Sequence, residues 1–259
     1  MGFGDLSGRT VVITGASKGI GARACRALAR AGASVVGLAR SEDDLAALKS
    51  ELNGDGLAFD YKVVDLVAAD AADRLDALMS AHVPDVFINN AGATRPAAFQ
   101  DVTVEDFDDI MRLNLKAGFF ATQAAVKAMK AFPRPEVSRS IIHMSSMLGR
   151  VALPGRVVYA ATKHALEGLT KAMALDLAED GIRVNSICPT YIETPLTQPL
   201  LENPVFRGFV AEKMPLSTPQ QPIGQVGDLD GALLFLTDSA LSDLVTGTNL
   251  VVDGGWTAQ

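Results

Sequence analysis

The sequence predicts an α/β protein in which a parallel sheet is covered by helices on both faces. Short β-branched runs alternate with helical segments, a glycine-rich turn joins the first strand to the first helix, and no linker or repeat interrupts the 259 residues. Strands that alternate with helices usually pair in parallel, because each crossover needs a long connection. With 48% hydrophobic residues, the chain can bury a large core. We therefore expect a single domain over residues 1–259.

A strand, a glycine turn, a helix and a second strand follow one another near the N-terminus. The predicted strands cover residues 10–13 and 34–39, and the helix covers residues 22–31. Between them, Gly15-Ala16-Ser17-Lys18-Gly19-Ile20-Gly21 is placed to present backbone N–H groups and the helix dipole to a phosphate. The glycines meet the common G-x-G-x-x-G pattern only in part. Their position between a strand and a helix nevertheless predicts a dinucleotide site.

The end of the second strand indicates which dinucleotide binds. An acidic residue there would accept a hydrogen bond from the ribose 2′-hydroxyl of NAD and repel a 2′-phosphate. Here the strand ends at Ala39, followed by Arg40, and Lys18 stands in the glycine turn. Two cations without an acid favour NADP(H) over NAD(H). The alternative is that Lys18 and Arg40 are ordinary surface charges.

The alternation of strands and helices continues to the C-terminus. Further strands are predicted at residues 57–64, 85–89, 141–145, 183–188 and 249–252, and helices at 42–52, 68–81, 105–131, 157–177 and 228–237. Asn114 lies in the middle of a predicted helix, where asparagine is unfavourable. We expect it to be exposed or bonded to a kinked backbone.

One segment, at about residues 190–222, breaks this rhythm. Seven prolines stand within residues 189–222, among Leu, Phe and Met side chains: Pro189, Pro195, Pro199, Pro204, Pro215, Pro219 and Pro222. The segment has no regular periodicity and is too long and too apolar for a plain connection. It predicts a mobile lid over a substrate pocket.

Charge and composition argue against several classes of function. The net charge is −7 and there is no basic stripe, which argues against nucleic acid. Three scattered histidines lack partners at ligand spacing, so we expect no metal site. No apolar run reaches 18 residues, which argues against a membrane span, and residues 1–9 lack a secretory pattern. We therefore expect a cytoplasmic protein.

The stretch Tyr159-Ala160-Ala161-Thr162-Lys163 is the candidate catalytic element. Residues four apart share one face of a helix, so the Tyr159 phenol and the Lys163 ammonium should lie one turn apart. A nearby cation favours the phenolate and lowers its pKa from about 10, which suits a general acid or base. The preceding apolar strand ends on Ser145 and Ser146, and a hydroxyl there could reach the same substrate oxygen.

Four motifs in this order resemble the classical short-chain dehydrogenase/reductase family. They are Thr14-Gly15-x-x-x-Gly19-x-Gly21, Asn89-Asn90-Ala91-Gly92, Ser146 and Tyr159-x-x-x-Lys163. The resemblance implies a Rossmann-like, doubly wound parallel sheet of about seven strands. It also implies NAD(P)-dependent interconversion of a carbonyl and an alcohol, and a homo-oligomer that is a tetramer or a dimer.

The same resemblance implies a role for each site residue. Tyr159 transfers the proton, Ser146 binds the substrate oxygen, Lys163 lowers the Tyr159 pKa and binds the nicotinamide ribose, and Asn114 holds a relay water. The family's serine stands 13 residues before the tyrosine, which selects Ser146 over Ser145. The implied cofactor-binding residues are Gly15, Ser17, Lys18, Gly19, Ile20, Arg40, Asp65, Leu66, Asn90, Ala91, Gly92, Tyr159, Lys163, Pro189, Ile192 and Thr194. Thr190 departs from the glycine that the family often has there, which predicts a narrower pocket.

Three functional hypotheses follow. The leading one is an NADP(H)-dependent reductase or dehydrogenase of small ketones or aldehydes, secondary alcohols, polyols or sugar-type substrates. The second is a 3-oxoacyl-carrier-protein reductase, with Lys127, Lys130 and Arg134 as part of a basic docking patch, although Glu179-Asp180 stands where those reductases tend to be basic. The third is a non-catalytic NADP-binding regulator, which predicts a damaged set of catalytic residues.

The sequence does not identify the substrate. Candidate pocket walls are Thr94, Met147, Leu148, Leu153, Val157, Thr190, Tyr191 and residues 196–214, which are mostly apolar. Three arginines near them are candidate anchors for an anionic or hydroxylated substrate: Arg95, Arg150 and Arg156.

Overall fold

The computed structural model describes residues 4–258 and contains a seven-stranded parallel sheet with strand order β3-β2-β1-β4-β5-β6-β7. The strands are β1 Thr10–Thr14, β2 Ser34–Ala39, β3 Phe59–Val63, β4 Val86–Asn89, β5 Arg139–Met144, β6 Ile182–Pro189 and β7 Asn249–Val252. The helices are α1 Gly19–Arg30, α2 Glu42–Gly54, α3 Ala71–Ala81, α4 Val104–Met111, α5 Gly118–Ala131, α6 Val157–Asp176, α7 Gln198–Leu201, α8 Pro204–Glu212, α9 Asp230–Thr237 and α10 Ser239–Ser242. The predicted α/β fold class is confirmed.

The core lies on both faces of the sheet. Successive side chains of a strand point to opposite faces, so Val11 and Ile13 of β1 join one cluster and Val12 joins the other. The first cluster includes apolar residues of α1, α2 and α9, and the second those of α3, α5 and α6. Strands buried on both faces are continuous apolar runs, which is why they were visible in the sequence.

The strand order reverses between β1 and β4, and this position places the site. The chain first builds outwards from β1 to β3, and then returns to build β4 to β7 on the other side of β1. In such open sheets a crevice forms outside the carboxyl ends of the strands at the reversal. The glycine turn after β1 and residues 90–92 after β4 both lie at this crevice.

The helix predicted for residues 105–131 is present as a continuous helical stretch, but it is not α-helical throughout. The structure divides it into α4, a π-helical stretch at Arg112–Ala117 and α5. Asn114 lies in the π-helical stretch and is buried, which excludes the first of the two expected alternatives, an exposed side chain. Such wide turns are rare and often mark functional sites.

The segment predicted to be irregular contains two helices, α7 and α8, and that part of the lid prediction is wrong. Each has a proline in its first turn, Pro199 and Pro204, where a missing N–H costs no hydrogen bond. Asn203 caps α8 by accepting hydrogen bonds from the N–H groups of Val205 and Phe206, at 2.9 and 3.2 Å. The prolines there start helices rather than prevent them.

Among the described residues, no helix combines the length and apolarity needed to cross a bilayer. No group of three or more His, Cys, Asp or Glu side chains within residues 4–258 is arranged to hold a metal ion.

Candidate active site

The glycine turn is held in shape by residues at the end of β4. The Asn90 side chain donates to the carbonyl oxygens of Thr14 and Gly15, at 3.0 and 3.2 Å. The Thr14 hydroxyl accepts hydrogen bonds from the backbone N–H groups of Asn90 and Ala91, at 3.0 and 3.1 Å. The sequence motif marked Asn90 as a cofactor contact, but these bonds also give it the role of fixing the turn.

The turn leaves room for a phosphate at the start of α1. Gly15 and Gly19 adopt left-handed conformations with φ of 67° and 55°, which favour glycine. A Cβ on Gly21 would lie 2.1 Å from the Gly15 carbonyl oxygen, so only glycine lets the helix begin this close to the turn. No side chain caps the first turn of α1, whose N–H groups and dipole favour an anion. These features fit the diphosphate of a dinucleotide.

An acid that the sequence analysis did not consider lies at the 2′-phosphate end of this site. Lys18 forms an ion pair with Asp44 of α2 at 3.0 Å, and the Ser41 hydroxyl also donates to that carboxylate. Hydrogen bonds from Ser41 and Lys18 lower the pKa of Asp44, so it is charged at neutral pH. The expectation that no acid ends β2 is confirmed, since Ala39 stands there and Arg40 is exposed. Asp44 in the first turn of α2 nevertheless places an acid next to Lys18.

The other predicted cofactor residues surround the same crevice. Asp65 and Leu66 follow β3, and the Asp65 carboxylate accepts a hydrogen bond from the Val67 N–H at 3.1 Å. Pro189 ends β6, and Ile192 and Thr194 follow it. A Cβ on Gly19 would lie 3.2 Å from the Thr194 Cβ, so this segment covers the glycine turn. Ser17 and Ile20 lie in the turn and at the start of α1.

The four predicted catalytic residues come from three elements that meet at the carboxyl edge of the sheet. Tyr159 and Lys163 lie on α6, Ser146 follows β5, and Asn114 lies in the π-helical stretch. Lys163 Nζ donates to the Met144 carbonyl oxygen at 2.8 Å and lies 5.5 Å from the centre of the Tyr159 ring. Lys163 is only 4% exposed, and Gly92 faces it: a Cβ there would lie 3.8 Å from Nζ.

Asn114 joins two of these elements through its side-chain amide. Its Oδ1 accepts from the Ala93 N–H at 2.8 Å, and its Nδ2 donates to the Ala93 carbonyl oxygen at 2.9 Å. Nδ2 also lies 3.2 Å from the Thr162 hydroxyl oxygen, next to Lys163. Thr162 was missed by the sequence analysis, and no motif distinguishes it from the other polar residues of α6.

The electrostatics of Tyr159 differ from the expectation. Burial raises the pKa of Tyr159 to about 12, while the Ser146 hydroxyl opposes this rise by hydrogen bonding. The predicted lowering of the Tyr159 pKa by Lys163 is therefore not found, because the ammonium group is turned to the Met144 carbonyl. Burial also lowers the pKa of Lys163 to about 8. The phenol is protonated at neutral pH, whereas the lysine can gain or lose a proton there.

Ser146 and Tyr159 line one narrow cleft beside α7. Its other lining residues are Thr94, Met147, Leu148, Arg156, Thr190, Tyr191, Leu196, Thr197 and Leu200. Two of the predicted walls, Leu153 and Val157, do not line it, and Val157 is 46% exposed because it starts α6 on the outer side. Thr190 lines the cleft as expected, with its hydroxyl 3.4 Å from the Met214 sulfur.

The basic patch suggested for docking a carrier protein is neutralised by acidic neighbours. Lys127 pairs with Asp76 at 2.9 Å, and Lys130 pairs with Asp180 at 2.7 Å. Arg134 pairs with both Asp85 and Glu136, at 2.9 and 3.2 Å. This surface does not present the excess positive charge that an acidic partner needs, which weighs against the carrier-protein hypothesis.

Comparison with known proteins agrees with the geometry. A family model described as short chain dehydrogenase matches residues 9–204. Gluconate 5-dehydrogenase of Gluconobacter oxydans (strain 621H) is 37% identical over 257 residues, which span 98% of this chain and 97% of the relative. L-xylulose reductase of Mesocricetus auratus is 36% identical over 251 residues, spanning 97% of each chain.

A solved structure shares the fold over its whole length. The crystal structure of a gluconate 5-dehydrogenase from Burkholderia cenocepacia J2315, in complex with NADP and tartrate, superposes with a TM-score of 0.90. It is 35% identical, and the superposition covers 99% of this chain and 98% of that one. The seven-stranded Rossmann-like sheet that the resemblance implied is thereby confirmed, and the chain belongs to the short-chain dehydrogenase/reductase family.

Proposed function

We propose that this protein is an NADP(H)-dependent oxidoreductase that interconverts a carbonyl and a secondary alcohol in a sugar-type or polyol substrate. The observation that carries the proposal is that Ser146 and Tyr159 line one cleft, with Lys163 and Asn114 directly behind them. The cleft opens at the crevice where the glycine turn offers its phosphate site. The regulator hypothesis is disfavoured, since all four expected catalytic side chains are present and clustered.

The relatives support the substrate class at a coarse level. Two of them are named for gluconate and one for L-xylulose, and these compounds share several hydroxyl groups along a short carbon chain. One is an acid and the other a neutral sugar. The relatives therefore do not distinguish a charged substrate from a neutral one.

The cofactor is NADP(H) in this proposal, and the residues present fit it. The turn from Gly15 to Ile20 would hold the diphosphate, Lys18 and Arg40 the 2′-phosphate, and Asp65 and Leu66 the adenine. Residues 90–92, Lys163, Pro189, Ile192 and Thr194 would line the nicotinamide half. When bound, the nicotinamide supplies or accepts the hydride. A relative solved with NADP supports the choice over NAD(H).

Side chains of the protein then supply the proton that the substrate oxygen needs. The half-buried Tyr159 phenol, whose pKa is raised to about 12, is a proton donor to a carbonyl oxygen in reduction. Ser146 donates a hydrogen bond to the same oxygen and stabilises the charge that develops there. Lys163, with a pKa lowered to about 8, can restore the phenol's proton near neutral pH. Asn114 donates a hydrogen bond to the Thr162 hydroxyl, next to Lys163, and so helps to hold this part of α6 in place.

Three further features complete the proposal. The 259 residues act as one nucleotide-binding domain, and the segment from about 190 to 222 covers the cleft as a lid. The protein assembles into a homo-oligomer, a tetramer or a dimer, as its family commonly does. It works in the cytoplasm; both cysteines are free and buried, as expected in a reducing compartment.

Replacing Tyr159 with phenylalanine tests the catalytic role. Tyr159→Phe keeps the ring and removes only the proton donor, so kcat should fall about 10²–10⁴-fold. The Kd for NADP(H), measured by fluorescence titration, should stay nearly constant because the phosphate contacts lie elsewhere. A variant that keeps a tenth of the wild-type kcat, with hydride transfer rate-limiting, would refute the role of Tyr159.

A further inference from the structure

The cleft contains three polar groups that have no hydrogen-bond partner within residues 4–258. They are Arg156 Nη1, the Tyr191 hydroxyl and the Thr94 hydroxyl, and all three atoms are buried. Buried polar groups in folded proteins are almost always paired, so a cluster of three at one place needs an explanation. All three side chains line the cleft together with Ser146 and Tyr159.

Arg156 differs in its surroundings from the other buried arginines. It is 7% exposed, and no ion pair to an acidic side chain is found for it in the described part of the chain. The other two buried arginines each donate to backbone carbonyl oxygens: Arg139 to that of Phe132 at 2.6 Å, and Arg183 to that of Leu236 at 3.0 Å. A buried guanidinium without such partners is unfavourable and is expected where a ligand supplies the acceptor.

The other two candidate anchors do not share this arrangement. Arg95 is exposed and pairs with both Asp106 and Asp109, at 2.8 and 3.0 Å. Arg150 is exposed and does not line the cleft. Of the three arginines that the sequence suggested, Arg156 alone lines the cleft and has an N–H group without an acceptor.

The residues around Arg156 favour an anion as the missing partner. No Asp or Glu side chain lines the cleft, and the two unpartnered hydroxyls, those of Thr94 and Tyr191, can both donate hydrogen bonds. The Tyr191 ring is held between Phe206 of α8 and Trp256, with ring centres 5.3 and 5.9 Å away, so its hydroxyl cannot swing out to solvent without disturbing the lid. Arg156 precedes Tyr159 by three residues, which places it about one helical turn from the phenol.

We propose that Arg156 binds a carboxylate of the substrate, with the Tyr191 and Thr94 hydroxyls as further donors, so that the substrate is a hydroxy acid and the product a keto acid. This inference rests on the proposed function. In reduction the carbonyl carbon of the keto acid would receive a hydride from NADPH and its oxygen the proton of the Tyr159 phenol, which gives the hydroxy acid and leaves the carboxylate unchanged. The planar guanidinium suits a carboxylate, which it can hold with two parallel hydrogen bonds. A neutral polyol would leave the charge of Arg156 unpaired in the closed cleft.

A binding experiment separates this inference from the catalytic one. The NADPH-loaded protein, which cannot oxidise either compound, is titrated with tartrate and with threitol, which carries hydroxymethyl groups where tartrate has carboxylates. Thermal stability and calorimetry report binding without turnover. We expect tartrate to bind at least tenfold more tightly than threitol to the wild type, and this ratio to fall towards one in Arg156→Met. Arg156→Lys should keep part of it. Arg95→Met is the matched control and should keep the wild-type ratio.

A second test compares the turnover of a charged and a neutral substrate. D-Gluconate and D-sorbitol differ by one carboxylate in place of a hydroxymethyl group, so their kcat/KM values compare the charge alone. A wild type that binds threitol as well as tartrate, or that oxidises sorbitol in preference to gluconate, overturns the inference and leaves the proposed function intact. The protein could also prefer tartrate and yet neither reduce a carbonyl nor oxidise an alcohol. That result refutes the proposed function but supports the anion site at Arg156. Ligand-free Arg156→Met should be at least as stable as the wild type, and a large loss of Tm would instead show that Arg156 has a structural role.

Discussion

At the scale of single residues, the Asp44 carboxylate changes the net charge of the proposed 2′-phosphate site. In the proposed cofactor site, Lys18 and Arg40 would supply positive charge for a 2′-phosphate, but the Asp44 carboxylate pairs with Lys18 at 3.0 Å. A bound 2′-phosphate would have to share Lys18 with this carboxylate or displace it. We therefore expect the acid to weaken the preference for NADP(H) that the two cations would create.

Removing that carboxylate should strengthen NADP(H) binding. In Asp44→Asn, Lys18 is released and a nearby negative charge is lost, so the Kd for NADP⁺ should fall about two- to fivefold. The change is modest because Lys18 is exposed and Asp44 only half-buried, so solvent screens the pair. The Kd for NAD⁺ should change less. Asp43→Asn, at the exposed neighbouring position of α2, is the control. Equal changes for both cofactors would show that Asp44 does not act on the 2′-phosphate.

At the scale of elements, the sequence predicted what depends on local pattern and missed what depends on contacts. The buried strands and the shared face of Tyr159 and Lys163 follow from periodicity, which is local. The π-helical stretch does not, because its wide turn is stabilised by the bonds of Asn114 to Ala93, a residue 21 positions away. The missing hydrogen-bond partner of Arg156 could not be predicted from the sequence either, because it depends on which side chains the surrounding elements bring near.

The helices α7 and α8 show a further limit of sequence patterns. Both are short, and prolines usually argue against helices, so the segment lacked a recognisable period. Leu201, Val210 and Met214 nevertheless pack with Tyr191 and Trp256 into a small third core. Tertiary packing of these side chains decides the outcome, as is usual for helices of this length.

This small core predicts how the lid behaves. Val205 and Leu216 are each 80% exposed, so residues 195–219 bury less apolar surface than the sheet and should exchange amide hydrogens faster than β1 and β6. Binding of NADP⁺ and substrate should slow that exchange, as the cleft beneath the segment fills. Hydrogen-exchange mass spectrometry measures both states, with the β1 peptide as internal control. Equal protection in the two states would contradict the lid role.

At the scale of the whole molecule, the proposed homo-oligomer would have a contact surface in a largely apolar groove lined by α4, the π-helical stretch, α5 and α6. Three charged residues also line this groove: Asp108, Arg112 and Lys116. Phe119 and Phe120 are 39% and 41% exposed, and they stand in edge contact with ring centres 5.4 Å apart. Across the groove, α6 presents four small or apolar residues at helical spacing: Ala165, Gly168, Leu169 and Ala172. Small residues let another helix approach closely, and the aromatic rings supply area to bury.

A charge in this groove should reduce the oligomeric state. Phe120→Glu places a carboxylate in the proposed contact, which is costly to desolvate, so light scattering after size exclusion should give a lower mass than for the wild type. Val205→Glu, on the exposed side of α8, is the control and should keep the wild-type mass. A Phe120→Glu protein with unchanged mass would place the interface elsewhere.

The hydrogen bonds between Asn90 and the glycine turn also bear on how the protein is made. They join β1 and β4 across 76 and 75 positions of the chain, to Thr14 and Gly15 respectively. The N-terminal strand–helix–strand unit leaves the ribosome first, and within it the Ala16 N–H of the turn donates to the Leu38 carbonyl oxygen at 3.2 Å. The bonds from Asn90 can form only after residue 90 has emerged. Thr194, which covers the same turn, arrives another hundred residues later. We therefore expect nucleotide binding to be a late event in biosynthesis, in which NADP(H) stabilises the finished sheet rather than guiding its first half into place.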